Sequence, residues 1–97
     1  MKTTTILTIL GDIAGEVSRK TVNDKKLAEF TIEDIPLRIS AWEGRADAVP
    51  ESGAIVVQGY LRSRHYQYEG KDRTAVEITA TQVQALDPAP PSDEDLL

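Results

Sequence analysis

Hydrophobic and polar residues alternate with a period of two along most of this chain, which is typical of β-strands that turn one face toward a core. Ala28, Phe30 and Ile32, for example, share one face of such a stretch, with polar residues between them. The pattern predicts five strands, near residues 4–20, 27–33, 37–42, 54–64 and 74–86. A short helix is expected within residues 44–50, because a proline at the end of that range would stop it.

Five strands, a long first strand and a helix between the third and fourth strands predict an all-β fold, a five-stranded oligonucleotide-binding barrel. Gly11 and Gly15 interrupt the first predicted strand, which indicates a bend or bulge there. We assign the barrel domain to residues 1–86. Residues 87–97 are rich in proline and acidic side chains, so we expect an extended, solvated tail.

The first predicted strand is apolar on both faces, with Leu7 and Ile9 on one and Ile6 and Leu10 on the other. A barrel needs only one of these faces for its interior, so the other face must be covered by something else. A chain of 97 residues also builds a modest core, which association would extend. We therefore predict a homodimer or homotetramer that buries Ile6, Leu10 or their neighbours.

Aromatic and basic side chains are concentrated in residues 59–73. This segment is predicted to form two strands joined by a long hairpin with Glu69-Gly70 at the turn. Aromatic and basic side chains interleave there: Tyr60, Arg62, Arg64, His65, Tyr66, Tyr68, Lys71 and Arg73. Aromatic rings stack on bases, and Arg and Lys pair with phosphates. The composition of the hairpin is therefore typical of a surface that binds single-stranded nucleic acid.

The third predicted strand adds two candidates, because Arg38 and Trp42 share its outward face with Ser40. We expect Trp42 to be a platform for base stacking and Arg38 to be its phosphate partner. Alternatively, Trp42 packs under the hairpin or in a subunit interface.

Several hairpin residues also have a structural alternative. Arg62 and Arg64 could belong to a solvated face or form salt bridges with Glu77 on the next strand. Tyr60 suits a subunit interface as well as a ligand contact. His65, the only histidine, is expected to be an exposed hairpin residue that can stack.

Residues 59–66 read Gly-Tyr-Leu-Arg-Ser-Arg-His-Tyr, and residues 70–73 read Gly-Lys-Asp-Arg. These motifs resemble the fourth strand and hairpin of bacterial single-stranded-DNA-binding proteins. Weaker similarity to the first three strands and the helix of that family lies at residues 8–11, 27–32, 38–42 and 44–49. The resemblance covers residues 4–86, and the chain looks most like the short members found in cyanobacteria and plastids.

The resemblance implies sequence-nonspecific binding of single-stranded DNA in replication, repair and recombination. It implies contacts from Trp42, Tyr66, Tyr68, Arg38, Arg62, Arg64, Lys71 and Arg73. The chain departs from the family at Pro36, where an aromatic residue is usual, and at residues 34–35, where the second hairpin is very short. The alternative is therefore a protein-interaction module, an accessory subunit that has largely lost its DNA-binding face.

Charge limits the affinity that we expect. The net charge is −5, but the tail holds four acidic residues and no cation, which leaves 11 cations and 12 anions in residues 1–86, a net charge of −1. A nearly neutral domain makes few phosphate contacts, so stacking must contribute much of the binding. The tail resembles the acidic end of the family but closes with Leu96-Leu97, so it either docks on DNA-processing proteins or only solubilises the chain.

Composition argues against catalysis. Without cysteine, the chain has no disulfide, thiolate nucleophile or cysteine-bound metal. A single histidine without a second ligand or a partnered nucleophile is a poor metal site and a poor general base. We predict no enzymatic activity, no cofactor and no metal. The sequence has no apolar run long enough to predict a membrane span. We therefore expect a cytoplasmic or plastid-stroma location.

Overall fold

The computed structural model describes residues 3–86, and the predicted tail at residues 87–97 lies outside them. The elements are β1 (Leu7–Val22), β2 (Lys25–Ile32), β3 (Ile35–Trp42), α1 (Gly44–Asp47), β4 (Ala54–Tyr68) and β5 (Lys71–Ala85). The strands close into a barrel in the order β1-β2-β3-β5-β4, with β3 and β5 parallel and every other pair antiparallel. The predicted five-stranded oligonucleotide-binding barrel, with one short helix between the third and fourth strands, is confirmed.

Strand β1 closes the barrel because its two halves pair with different neighbours. Residues 7–12 pair with β4, and residues 13–22 pair with β2. The register with β2 shifts between Ala14 and Ser18, around Gly15, which has a φ of 66°. Such an irregularity bends a strand, so the predicted bend lies at Gly15.

The barrel interior is filled by alternate apolar side chains from all the strands, as the period of two predicts. The largest completely buried side chains are Ile39, Ile55, Ile78 and Val57. Ala46 from α1 and Val49 just after it belong to the same core. The helix is a single turn, and no helix in residues 3–86 is both long and apolar enough to cross a membrane.

Arg19 on β1 holds the helix in place. Its guanidinium donates hydrogen bonds to the backbone carbonyls of Ala46 at 2.9 Å and Val49 at 2.5 Å, and it forms a salt bridge with Glu51 at 3.0 Å. Ala46 belongs to the helix and Val49 lies two residues after its end, so Arg19 ties the C-terminal end of the helix to β1. Nothing in the sequence pattern indicated this role of Arg19, because the contact spans about thirty residues.

Strands β4 and β5 extend well beyond the barrel as a two-stranded ribbon, residues 62–77, which we call the arm. The ladder runs without a break to the pair of Tyr68 and Lys71. Glu69 and Gly70, with φ of 52° and 75°, form the two-residue turn, as predicted, and these angles are typical of a type I′ turn. The strands predicted to end near residue 64 and to resume near residue 74 are therefore longer than the sequence indicated.

Leu61 and Val76 continue the inward-facing side of these strands, because Leu61 is opposite the buried Ile78 and Val76 is two residues before it. Their side chains are nevertheless 38% and 44% exposed. The ladder between β3 and β5 is limited to two pairs, Ile39 with Ile78 and Ser40 with Thr79, so the barrel wall ends at this edge and does not cover them.

The arm is connected to the barrel through a β-bulge in β5. Gln58 pairs with Gln82 and Gly59 pairs with Ala80, which leaves Thr81 as the extra residue. The carbonyl of Thr81 accepts a hydrogen bond from Arg45 Nε at 2.6 Å, and its hydroxyl donates to the carbonyl of Gln58 at 3.1 Å. These bonds satisfy the polar groups that the bulge removes from the ladder.

We predict that Gly59→Ala destabilises the protein. A Cβ atom at this position would overlap the backbone carbonyl of Thr79 and approach Ala80 Cα, and the backbone cannot rotate away as a side chain could. The free energy of unfolding, measured by urea denaturation, should fall by about 1–3 kcal/mol.

Gly44→Ala is the matched control, because no atom lies within 4 Å of a Cβ atom built there. This variant should differ from the wild type by less than about 0.5 kcal/mol. Equal stability of the Gly59→Ala variant and the wild type would contradict the packing described at the bulge.

Candidate nucleic-acid interface

The predicted hairpin residues lie on one face of the arm. Arg62 is opposite Glu77, Tyr66 is opposite Arg73 and Tyr68 is opposite Lys71 in the antiparallel ladder, and directly opposite residues share a face. We call this surface the basic-aromatic face; its residues are Tyr60, Arg62, Arg64, Tyr66, Tyr68, Lys71 and Arg73. The structure therefore brings together all the hairpin residues that were predicted to bind nucleic acid.

Cations outnumber anions on this face. Its four cations meet one carboxylate, that of Glu77, which lies 3.3 Å from Arg64 Nη2. The salt bridge considered as an alternative for Arg62 and Arg64 is thus present for Arg64. Within residues 3–86, no carboxylate oxygen lies within 4.0 Å of the side-chain nitrogens of Arg62, Lys71 or Arg73. These three cations can pair with an incoming anion without first breaking an ion pair with a carboxylate of residues 3–86.

The aromatic rings of the arm are accessible. The side chains of Tyr66 and Tyr68 are exposed, and so is that of Tyr60 at the base of the arm. The guanidinium carbon of Arg64 lies 5.7 Å from the centre of the Tyr66 ring, a cation–π arrangement. A ring and a cation therefore stand side by side, ready to contact a base and its neighbouring phosphate.

The opposite face of the arm is different in character. His65 Nδ1 lies 3.1 Å from Thr74 Oγ1, and the amide of Gln67 donates to Asp72 at 3.2 Å. Since His65 alternates with Tyr66 along the strand, it does not lie on the basic-aromatic face, although the sequence grouped it with the hairpin rings. No cluster of three or more His, Asp or Glu side chains in the part of the chain described is placed to hold a metal ion.

Trp42 lies on the outer face of the barrel, directly opposite Leu27 in the ladder between β2 and β3. Leu27 is buried and Trp42 is half-buried, so part of the indole ring covers the sheet. Trp42 also lines a cavity of about 390 Å³ together with Val22, Asn23, Lys25 and Glu43. The sequence pattern gives no indication that Lys25 neighbours Trp42, because the two residues meet only where the start of β2 pairs with the end of β3.

Arg38 is paired with a carboxylate. Its Nη1 lies 3.4 Å from Glu29 Oε2, and Lys20 Nζ lies 2.8 Å from Glu29 Oε1. The hydrogen bond from Lys20 is the main cause that lowers the pKa of Glu29, and Arg38 lowers it further, while partial burial of the carboxylate opposes both. The phosphate contact predicted for Arg38 therefore competes with an existing ion pair.

The outer face of the barrel continues into the basic-aromatic face. Ile39 pairs with Ile78 in the parallel ladder, so Arg38 and Glu77, one residue earlier on each strand, are neighbours on the outer side. The two aromatic and basic regions, around Trp42 and around Tyr66, therefore lie on the same outer side of the sheet. All the residues predicted from the sequence to bind nucleic acid lie on it.

Solved structures share this architecture, whereas no protein-family model and no curated protein matches the chain. The second single-stranded-DNA-binding protein of Mycobacterium smegmatis has a TM-score of 0.67 and 24% sequence identity, over 90% of this chain and 99% of that chain. A small single-stranded-DNA-binding protein from Streptomyces coelicolor has a TM-score of 0.58 and 16% identity, over 87% of this chain and 95% of that chain.

This chain has the fold of bacterial single-stranded-DNA-binding proteins. The resemblance indicated by the hairpin motif is thus confirmed at the level of the fold. Sequence identities of 24% and 16% show a shared fold but not shared roles of individual residues. The role of each residue is therefore inferred from the geometry of this chain.

The lowered pKa of Glu29 predicts a pH-dependent contribution to stability. A carboxyl group whose pKa falls below its unfolded value of 4.5 on folding stabilises the protein above about pH 4.5 and loses that effect as the pH falls through the folded pKa. The Glu29→Gln variant should be less stable than the wild type by about 1 kcal/mol at neutral pH. This difference, measured by urea denaturation, should shrink as the pH is lowered below 4.5.

Glu33→Gln is the control, because Glu33 is exposed and forms no salt bridge with the rest of residues 3–86. Its stability at neutral pH should be within about 0.5 kcal/mol of that of the wild type. A stability difference for Glu29→Gln that did not shrink as the pH was lowered below 4.5 would contradict the assignment.

Proposed function

We propose that this protein binds single-stranded DNA without sequence preference, by a non-catalytic mechanism, in replication, repair and recombination. The observation that carries the proposal is the basic-aromatic face of the arm, where exposed rings and cations alternate on one surface. The shared fold with two bacterial proteins described as single-stranded-DNA-binding supports it.

The arm is the principal binding element in this proposal. Tyr66 and Tyr68 stack against bases, while Arg62, Lys71 and Arg73 contact phosphates. Stacking uses the face of a base and phosphates are the same in every nucleotide, so these contacts do not depend on sequence. Arg64 joins them once its exposed salt bridge with Glu77 opens, which costs little because exposed ion pairs are weak.

Trp42 provides a second stacking position on the barrel. Lys25 lines the same cavity and could meet a phosphate next to the stacked base. Arg38 lies between this position and the arm, so a strand that follows the outer surface would pass it.

The rival function is a protein-interaction module, an accessory subunit with little DNA binding. The near-neutral charge of residues 1–86 favours it, as does the pairing of Arg38 with Glu29. The two functions differ in whether a long DNA strand binds at low salt, which the variants below test.

Two variants of the arm should distinguish the contribution of base stacking from that of phosphate contacts. Tyr66→Ala should weaken binding to poly-dT by about 1–3 kcal/mol if one base stacks on the ring, with little change in salt dependence. Arg62→Ala should instead flatten the slope of log K against log salt by about 0.7, the value for one phosphate of a single strand. Both are measured by fluorescence anisotropy of labelled oligo-dT.

Matched variants make the test specific. Tyr66→Phe keeps the ring and should bind like the wild type, and Trp42→Ala should behave like Tyr66→Ala. Lys26→Ala removes a cation that pairs with Asp47 beside the helix, away from the arm, so it should leave the slope unchanged. If the wild type fails to bind long poly-dT even near 20 mM salt, the accessory-subunit function replaces this proposal.

We also propose that the protein is a homodimer or homotetramer. Ile6 and Leu10 are 78% and 68% exposed; Leu10 is on the outer side of the barrel, opposite Val56 of β4, and Ile6 directly precedes β1. Neighbouring exposed apolar side chains of this kind are typical of an interface. Tyr60, the alternative interface residue, lies farther along the same face of β4.

Leu10→Glu should therefore shift the protein toward the monomer in sedimentation velocity, because a carboxylate cannot be buried there without a partner. Thr21→Glu, an equal charge change at an exposed position near the other end of β1, should not. A monomeric wild type at high micromolar concentration would reject the proposed association.

The remaining expectations concern cellular context. The acidic tail, whether it docks on DNA-processing proteins or solubilises the chain, lies outside the described residues. The cytoplasmic or plastid-stroma location stays a prediction from the sequence.

A further inference from the structure

A groove of about 400 Å³ runs along the outer surface of β1, β2 and β3, beside the path proposed for DNA. Its cations are Lys20 and Arg38, and its carboxylates are Glu16 and Glu29. The charges balance, in contrast to the basic-aromatic face, where four cations meet one carboxylate. The side chain that joins the two cations of the groove is Glu29.

Glu29 occupies the middle of the three-stranded surface. It is opposite Ser18 on β1 and opposite Ser40 on β3, and these small side chains leave room on both sides. The side chain of Glu29 is only 14% exposed, whereas those of Lys20 and Arg38 are 53% and 56% exposed. The carboxylate is therefore recessed, and the cations that it holds are the part of the cluster that an incoming ligand meets.

Each oxygen of Glu29 contacts a different cation. Oε1 lies 2.8 Å from Lys20 Nζ, and Oε2 lies 3.4 Å from Arg38 Nη1. A phosphodiester resembles a carboxylate in this respect, since one negative charge is shared between two oxygens that Lys and Arg can approach. Lys20 and Arg38 would suit a backbone phosphate if Glu29 did not already engage them.

We propose that Glu29 is a built-in competitor for phosphate, which holds Lys20 and Arg38 and thereby keeps the barrel surface from binding a DNA phosphate tightly. This inference rests on the proposed function and assigns different DNA contacts to the arm and to the barrel surface. The arm, with Arg62, Lys71 and Arg73, makes the first contacts, and the barrel surface contributes only when a phosphate displaces Glu29. The lowered pKa of Glu29 agrees with this picture, because the carboxylate is charged at neutral pH and competes there.

The test compares the wild type with Glu29→Gln in titrations of labelled oligo-dT over a range of salt. The substitution keeps the size of the side chain and removes its charge, which releases Lys20 and Arg38 for phosphate. We expect tighter binding and a salt slope steeper by about 0.7 for one new phosphate contact or about 1.4 for two. The advantage of the variant should accordingly shrink about 5- to 25-fold between about 20 and about 200 mM salt.

Two variants separate this effect from a general loss of negative charge. Glu33→Gln changes the net charge by the same amount at an exposed site without a salt bridge in residues 3–86, and it should leave the slope as in the wild type. Adding Arg38→Gln to Glu29→Gln should remove much of the gain. The same proteins are titrated with inorganic tripolyphosphate, followed by the intrinsic fluorescence of Trp42, as a readout that does not use DNA.

The outcomes distinguish this inference from the proposed function. If the wild type binds DNA and Glu29→Gln does not change the slope, or Glu33→Gln changes it equally, the inference is overturned and the proposed function stands. If none of the proteins binds DNA, the proposed function fails, and tripolyphosphate decides the inference. Tighter tripolyphosphate binding by Glu29→Gln than by Glu33→Gln then supports the anion site, and equal binding overturns it.

Discussion

The register of the ladder between β4 and β5 is the constraint on which the rest of this structure depends. One end of the ladder lies in the barrel, where Ile55 and Val57 are buried, and the other end is the tip of the arm. A two-stranded ribbon alone is marginally stable, so the arm relies on its continuity with the packed barrel. A shift of one residue would reverse the faces of the arm strand, because side chains alternate with a period of two.

The bulge at Thr81 fixes this register. Gly59 packs against the backbone of β5 without a side chain, and Arg45 from the helix binds the carbonyl that the bulge exposes. Because of this arrangement, Arg62 and Tyr66 point to the same outer side as Arg38 and Trp42. The residues that hold the helix and bulge therefore determine where the proposed DNA contacts lie, although they do not belong to the binding surface.

The placement of carboxylates is the second determinant, and it divides the cations into two groups. On the barrel, Glu29 engages Lys20 and Arg38, and at the base of the arm Glu77 engages Arg64. Toward the tip, no carboxylate of residues 3–86 pairs with Lys71 or Arg73. A nearly neutral domain thus presents a locally positive surface, which explains how its net charge of −1 is compatible with the proposed binding of a polyanion.

The sequence by itself determined the class of fold, because alternation reports directly which side of each strand faces a core. It also indicated the turn at Glu69-Gly70 and the group of rings and cations around it, since these are local features. Only the tertiary structure decided that Leu61 and Val76 leave the core, because the length of the barrel wall depends on how far β3 pairs with β5. Likewise, the engagement of Arg38 by Glu29 and the position of Lys25 beside Trp42 depend on strand neighbours that are distant in the chain, and no local pattern encodes such contacts.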